Sequence, residues 1–261
     1  AIDQANTATG GTSTVFSVAS GATITTGDDA EFTALRGHES NGNIDITDQN
    51  LTVSSGFVTV DKANLLHATT TGVVTASIVT SETVDELTTL SGTGNAYTIV
   101  INSRDADAKQ STAAEFNTIN DATTVAIDAS AVLEIASSNL SDVKTLLTAG
   151  NDTAQFSANS FSSLDDLVIA DATINVSDFN AAVTQANTAT GQTTRANNAT
   201  LFTLTNAATY SGGTASDFAT LLTSETRGLI SGGITGQALT VDSGTIAVSA
   251  VNDLNATTTG V

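Results

Sequence analysis

The chain has 261 residues and a net charge of −20, from 27 Asp plus Glu against seven Lys plus Arg; it is 40% apolar and 4% aromatic, with no Pro, Cys, Met or Trp. That composition excludes disulfides, thiolate nucleophiles and sulfur metal sites, and it argues against nucleic acid and anionic membranes, whose phosphates would repel it. Its longest apolar runs, such as Tyr97 to Ile101, fall far short of the ~20 residues of a membrane span.

Read in chain order, short runs with period-two alternation predict strands, and short runs behind a Ser or Asn predict helices of a turn or two. The strand-like runs are "LTVSSGFVTV" from Leu51, "VVTASIV" from Val73, "YTIVI" from Tyr97, "TVAIDA" from Thr124 and "ALTVDSGTIAV" from Ala238. The helix-like runs are "SETVDELTTL" from Ser81, "SNLSDVKTLL" from Ser138, "SFSSLDDL" from Ser160 and "SDFATLL" from Ser216. Each of these helices carries one apolar stripe and needs a sheet to lie on.

The strongest signal is repetition. "QANTATG" at Gln4 to Gly10 returns letter for letter at Gln185 to Gly191. Beyond it, "AEFTAL" at Ala30 matches "SDFATL" at Ser216, "LTVSSG" at Leu51 matches "LTVDSG" at Leu239, and "NLLHATTTGV" at Asn64 matches "NDLNATTTGV" at Asn252. The offset drifts from 181 (Gln4 to Gln185) to 188 (Asn64 to Asn252), as loop insertions would produce. Residues 1–73 and 182–261 are therefore two copies of one module. This divides the chain into a first copy at 1–80, diverged repeats at 81–181, and a second, partial copy at 182–261. Asn64, Asn117, Asn180 and Asn252 mark the repeated phrase at spacings of 53, 63 and 72 residues.

Strands separated by helix-bearing connections favour parallel pairing. The expected fold is mainly β: a repetitive, parallel β-solenoid-like array with short helices in the connections, its narrow core built from Val, Ile, Leu and Ala. The alternative is a set of tandem small β-sandwiches, with hairpin turns such as Asn41-Gly42.

Little in the sequence carries chemistry. Asp28 with Asp29, Asp105 with Asp107, Asp165 with Asp166, and Asp152 beside Asn151 are weak candidates for calcium, which takes six to eight oxygens. Asp165 and Asp166 are equally explained as helix first-turn charges. The recurrent Asn reads first as a backbone-bonding residue at a helix end, and "TTTG" as a turn rather than a water-ordering Thr face. His38 and His67 stand alone, and Asn255 replaces His67 in the second copy. There is no Gly-x-Ser-x-Gly elbow and no phosphate loop, so no enzyme and no cofactor beyond calcium is expected.

The phrases "ATTTGVVTASI" (Ala68 to Ile78), "AEFNTINDATTVAIDASAV" (Ala114 to Val132) and "SNLSDVKTLLTAG" (Ser138 to Gly150) resemble the repeats of very large secreted cell-surface proteins of marine cyanobacteria. The resemblance implies an extracellular or cell-surface, non-enzymatic, repetitive structural protein, and carries over no functional residue. Two functions are expected to compete. One is a self-associating building block of a filament, sheath or surface layer; the other is a calcium-dependent adhesin or carbohydrate-binding module.

Overall fold

A computed structural model describes residues 4, 15–102, 111–190, 201–205, 209–231, 234, 237–241 and 248–257. In chain order the elements are β1 (Thr23–Thr26), α1 (Asp29–Ser40), β2 (Asn50–Val53), α2 (Val60–His67), β3 (Val74–Ser77), α3 (Val84–Leu87), β4 (Ala96–Thr98), α4 (Ala113–Ala122), β5 (Glu134–Ser138) and α5 (Leu140–Gly150). They continue with β6 (Asp166–Ile169), β7 (Thr173–Asn175), α6 (Val176–Thr190), β8 (Phe202–Leu204), β9 (Thr209–Gly213), α7 (Ala215–Thr226), β10 (Ile230–Ser231), β11 (Leu239–Val241) and α8 (Val248–Thr257).

The chain divides into two compact units, residues 1–82, 86–100 and 119–126 in the first, and 83–85, 101–118 and 127–261 in the second. In the first unit the strands form one sheet in chain order, β1-β2-β3-β4, all parallel. The register pairs Ile24 with Leu51, Leu51 with Val74, and Thr75 with Ala96, so successive strands are 27, 23 and 21 residues apart. Leu51, Val53, Val74, Ala76 and Tyr97 alternate inward and form the core.

The second unit holds two parallel sheets, in the orders β5-β6-β8-β10 and β7-β9-β11. After β5 and α5, each β–α turn of chain contributes one strand to each sheet and one helix, as in β8, β9 and α7. Helices α5, α6 and α7 lie side by side in that order. The sheets and helices enclose Phe179 and Phe202, edge to face at 5.1 Å, and Phe156 and Phe161 at the same separation. Gly150 is required beneath the second pair, because a Cβ there would lie 2.7 Å from the Phe161 ring.

Both fold expectations are corrected. The chain is mixed α/β, with 38% helix against 24% strand in alternating β–α units and three small parallel sheets, and is not a mainly β solenoid. Among the described residues every strand pairing is parallel, so tandem sandwiches fail as well, and Asn41-Gly42 closes α1 instead of turning a hairpin. The physical reason lies in the threonines. On a helix, a Thr hydroxyl can return to the carbonyl four residues back. That is what Thr118, Thr145, Thr148, Thr184, Thr188, Thr190, Thr220, Thr223 and Thr226 do, at 2.8–3.1 Å. The residue type read as a strand former is thus absorbed into helices whose apolar stripe is already in place.

Local expectations also fail: "TVAIDA" from Thr124 forms no strand, and Ile127 makes an isolated bridge. "SFSSLDDL" is not a helix: Phe161 to Leu164 make turns, and Asp166 opens a strand. Ser160 is buried there, and its hydroxyl donates to the Ile127 carbonyl at 3.0 Å.

Candidate functional site

The acidic residues singled out above sit at separate places. Asp28 caps α1, its Oδ1 accepting from the Glu31 N–H at 3.0 Å, and Asp29 is the first helical residue. Asp152 accepts from the Ala154 N–H and the Gln155 side chain at 2.9 and 3.0 Å, bonds that hold its carboxyl below the usual range, the Gln155 side chain contributing most. Asp166 lies on β6, where both of its oxygens accept from the Thr203 hydroxyl at 2.8 and 2.9 Å. Asp165 precedes it, its N–H donating to the Leu133 carbonyl at 2.7 Å. Neither is a first-turn helix charge. Asp105 and Asp107 lie outside the described residues. Among the described residues no three His, Asp or Glu converge in a way that could hold a metal ion.

His67 ends α2, with Nδ1 3.4 Å from Asn95 Nδ2 and its ring pressed on Gly92, where an added Cβ would lie 2.2 Å from Nε2. Gly92 has φ +76°, so both its backbone and its missing side chain are needed at this contact. His38 lies in the last turn of α1.

The repeated asparagines do have a common job. Asn64 Nδ2 donates to the Thr89 carbonyl at 2.9 Å while its Oδ1 accepts from the Ser91 N–H at 2.7 Å. Asn117 Nδ2 reaches the Asp142 carbonyl at 3.1 Å, and Asn180 Nδ2 the Asp217 carbonyl at 2.9 Å. Each ties its helix to backbone 25 to 37 residues further on. Asn252, the fourth landmark, is exposed on α8. The "TTTG" phrase performs a related task, because the Thr70 and Thr71 hydroxyls donate to the Thr47 carbonyl and Gly72 packs on the backbone of Gln49. A Cβ at Gly72 would come within 2.4 Å of the Gln49 carbonyl oxygen.

The outward face of the first unit's sheet carries a feature that the sequence reading passed over. Its register aligns Thr25, Thr52, Thr75 and Ala96 in one row, and Ser77 with Thr98 in the next. Neighbouring strands lie ~4.8 Å apart, so these hydroxyls form an uncharged hydrogen-bonding strip. Period-two alternation located the threonines, but only strand register brings them into rows.

Among the described residues, two edge strands are those of the repeated module. β1 pairs on one side with β2, and β11 pairs on one side with β9. Such edges present unpaired backbone N–H and C=O groups to another chain. Large apolar side chains also stand exposed, Val248 at 76%, Val15 at 67%, Phe57 at 64% and Val251 at 47%. No helix among the described residues is long and apolar enough to cross a membrane. No protein-family model, no curated protein and no solved structure matches this chain.

Proposed function

We propose that this protein is a non-enzymatic structural element, a self-associating building block of an extracellular filament, sheath or surface layer. The observation that carries the reading is the chain's unidirectional unit-to-unit joinery. Within each sheet the strand of one β–α unit pairs in parallel with that of the next, and Asn64, Asn117 and Asn180 bond backbone 25 to 37 residues further on. Asp28 serves as a helix cap and Asp152 holds a turn. The resemblance to giant secreted repeat proteins supports the extracellular setting.

Electron microscopy of the purified chain across a concentration series tests this. Ordered filaments or sheets are the expected result, and isolated particles at every concentration would overturn the proposal. A second reading, a carbohydrate-binding adhesin, is favoured by the hydroxyl strip on the first unit's sheet. It requires saturable glycan binding that falls when Thr52 and Thr75 are changed to Val, and a blank glycan array with and without calcium removes it.

A further inference from the structure

The two copies of the module align element by element in sequence order. β9 corresponds to β1, α7 to α1, β11 to β2 and α8 to α2; Thr214, the N-cap of α7, corresponds to Asp28, the N-cap of α1. In both copies the second strand pairs in parallel with the first, Ile24 with Leu51 and Tyr210 with Leu239.

On its leading side the second copy has as neighbour β7 and the opening turns of α6; the rest of α6, from Ala182, belongs to the copy itself and repeats residues 1–9. β7 pairs with β9 through Thr173 with Thr209, Ile174 with Tyr210 and Asn175 with Ser211, and α6 lies along α7. Val176 and Phe179 of α6 are fully buried there, and Asn180 donates to the Asp217 carbonyl. Tyr210 and Leu221 are buried, whereas Ile24 and Leu35, their counterparts in the first copy, are only half-buried. Asp217 is half-buried, and its counterpart Glu31 is exposed.

The neighbour's sequence recurs. Residues 173–180 read "TINVSDFN" and residues 245–252 read "TIAVSAVN", which places Val248 at the position of Val176, Val251 at that of Phe179 and Asn252 at that of Asn180. Yet Val248 is 76% and Val251 47% exposed, where Val176 and Phe179 are 0%. Two apolar side chains and one asparagine on α8 thus stand in solvent at the positions where α6 makes its contact.

We infer that the opening turns of α8 of one chain seat on the leading side of the first module of a second copy, along β1 and α1, as the opening turns of α6 seat on β9 and α7. Val248 and Val251 then cover Ile24 and Leu35 of the second copy, and Asn252 donates to the carbonyl of its Glu31. The two surfaces differ, so the contact is heterologous and leaves one of each kind free after every addition. An open-ended, polar filament follows. With a charge of −20 on each chain, long-range repulsion opposes the contact, and added salt strengthens it. The inference supplies the partner surface for the structural reading above and rests on it.

The chain has no native cysteine, which permits a direct test. An Asn252→Cys chain and a Glu31→Cys chain are mixed under mild oxidation, and sedimentation of the unmodified chain is compared with that of the Val248→Asp/Val251→Asp variant. Both valines are exposed, so the variant is expected to keep the wild-type circular dichroism. Expected are a covalent heterodimer from the mixture but not from either single-cysteine chain alone, and association weakened at least tenfold in the double variant. Assembly that persists unchanged in the double variant, or cross-linking of Asn252→Cys to itself, overturns this contact and leaves the structural reading standing. A wild-type chain that stays monomeric at all concentrations and salt levels overturns both.

Discussion

Helices α6 and α8 begin within a recurring eight-residue phrase, identical at five positions, and live in opposite surroundings. In α6 the apolar stripe is sealed between α5 and α7, Lys144 pairs with Asp178, and Gln185 Nε2 donates to the Thr148 hydroxyl at 2.9 Å. In α8 the same positions face water. The difference shows that the phrase specifies a helix with a one-sided sticker, while what the sticker holds depends on the element beside it.

The largest way to separate the two helices is to truncate the matched apolar residue. Phe179→Ala removes a fully buried ring that packs on Phe202, and it should cost about 3–5 kcal/mol, read as a lower urea midpoint. Val251→Ala in the dissociated chain should stay within about 0.5 kcal/mol of wild type. Equal losses in the two variants would mean that α8 is packed as α6 is, and the comparison would collapse.

The asparagines come next. Asn180→Ala should lose about 1 kcal/mol with its bond to the Asp217 carbonyl, and Asn64→Ala somewhat more, since both its amide atoms are engaged. Asn252→Ala should leave the stability of the isolated chain unchanged and lower only its association. Thermal unfolding at low and high protein concentration distinguishes the two effects.

The helix caps sharpen the comparison of the two modules. Thr214 and Asp217 form a reciprocal capping box, with Asp217 Oδ2 accepting from the Thr214 N–H at 2.7 Å. Thr214→Ala should cost about 1 kcal/mol, again read from the urea midpoint. Those Thr214 bonds hold the Asp217 carboxyl low. Its contribution is therefore present above the unfolded-state value of about 3.9 and fades as pH falls through the depressed folded value. The cap of α7 should weaken in acid for this reason, as should the turn at Asp45, whose carboxyl the Thr47 side chain and N–H hold low.

Glu82 should respond with the opposite sign and the smallest effect. Burial raises its carboxyl most, the Val60 N–H pulls it back, and Glu86 and Asp61 push it up again. A raised acid stabilises the fold most below its unfolded value of about 4.3, and that contribution is lost as pH rises through the folded value. Glu82→Gln keeps an acceptor for the Val60 N–H and removes the charge. Its urea midpoint should rise slightly above wild type at pH 7, and the advantage should vanish below pH ~4.

Much of the local structure was legible in the sequence. The strands at Leu51 and Val74, the helices in the runs from Ser138 and Ser216, and the backbone role of Asn64, Asn117 and Asn180 follow from short-range chemistry, whereas the caps lie at Asn139 and Thr214 and not at the serines read as caps. The period was not. Asn64, Asn117, Asn180 and Asn252 fall on every second helix of the sequence α2, α3, α4, α5, α6, α7, α8, so their spacings each span two β–α units. Diverged units, with only a strand, a helix and a bond in common, leave little for sequence alignment to find.

The amino-acid sequence alone determined parallel, repeated, helix-connected strands, a core free of sulfur and Trp, and a charge that sets copies of the chain against one another. Only tertiary structure decided the balance of helix and strand, because a threonine is compatible with either until a neighbouring sheet claims the apolar stripe beside it. Tertiary structure also decided which copy of a phrase is buried. Strand register and helix packing join residues 25 to 37 positions apart, and no short window of sequence contains both partners.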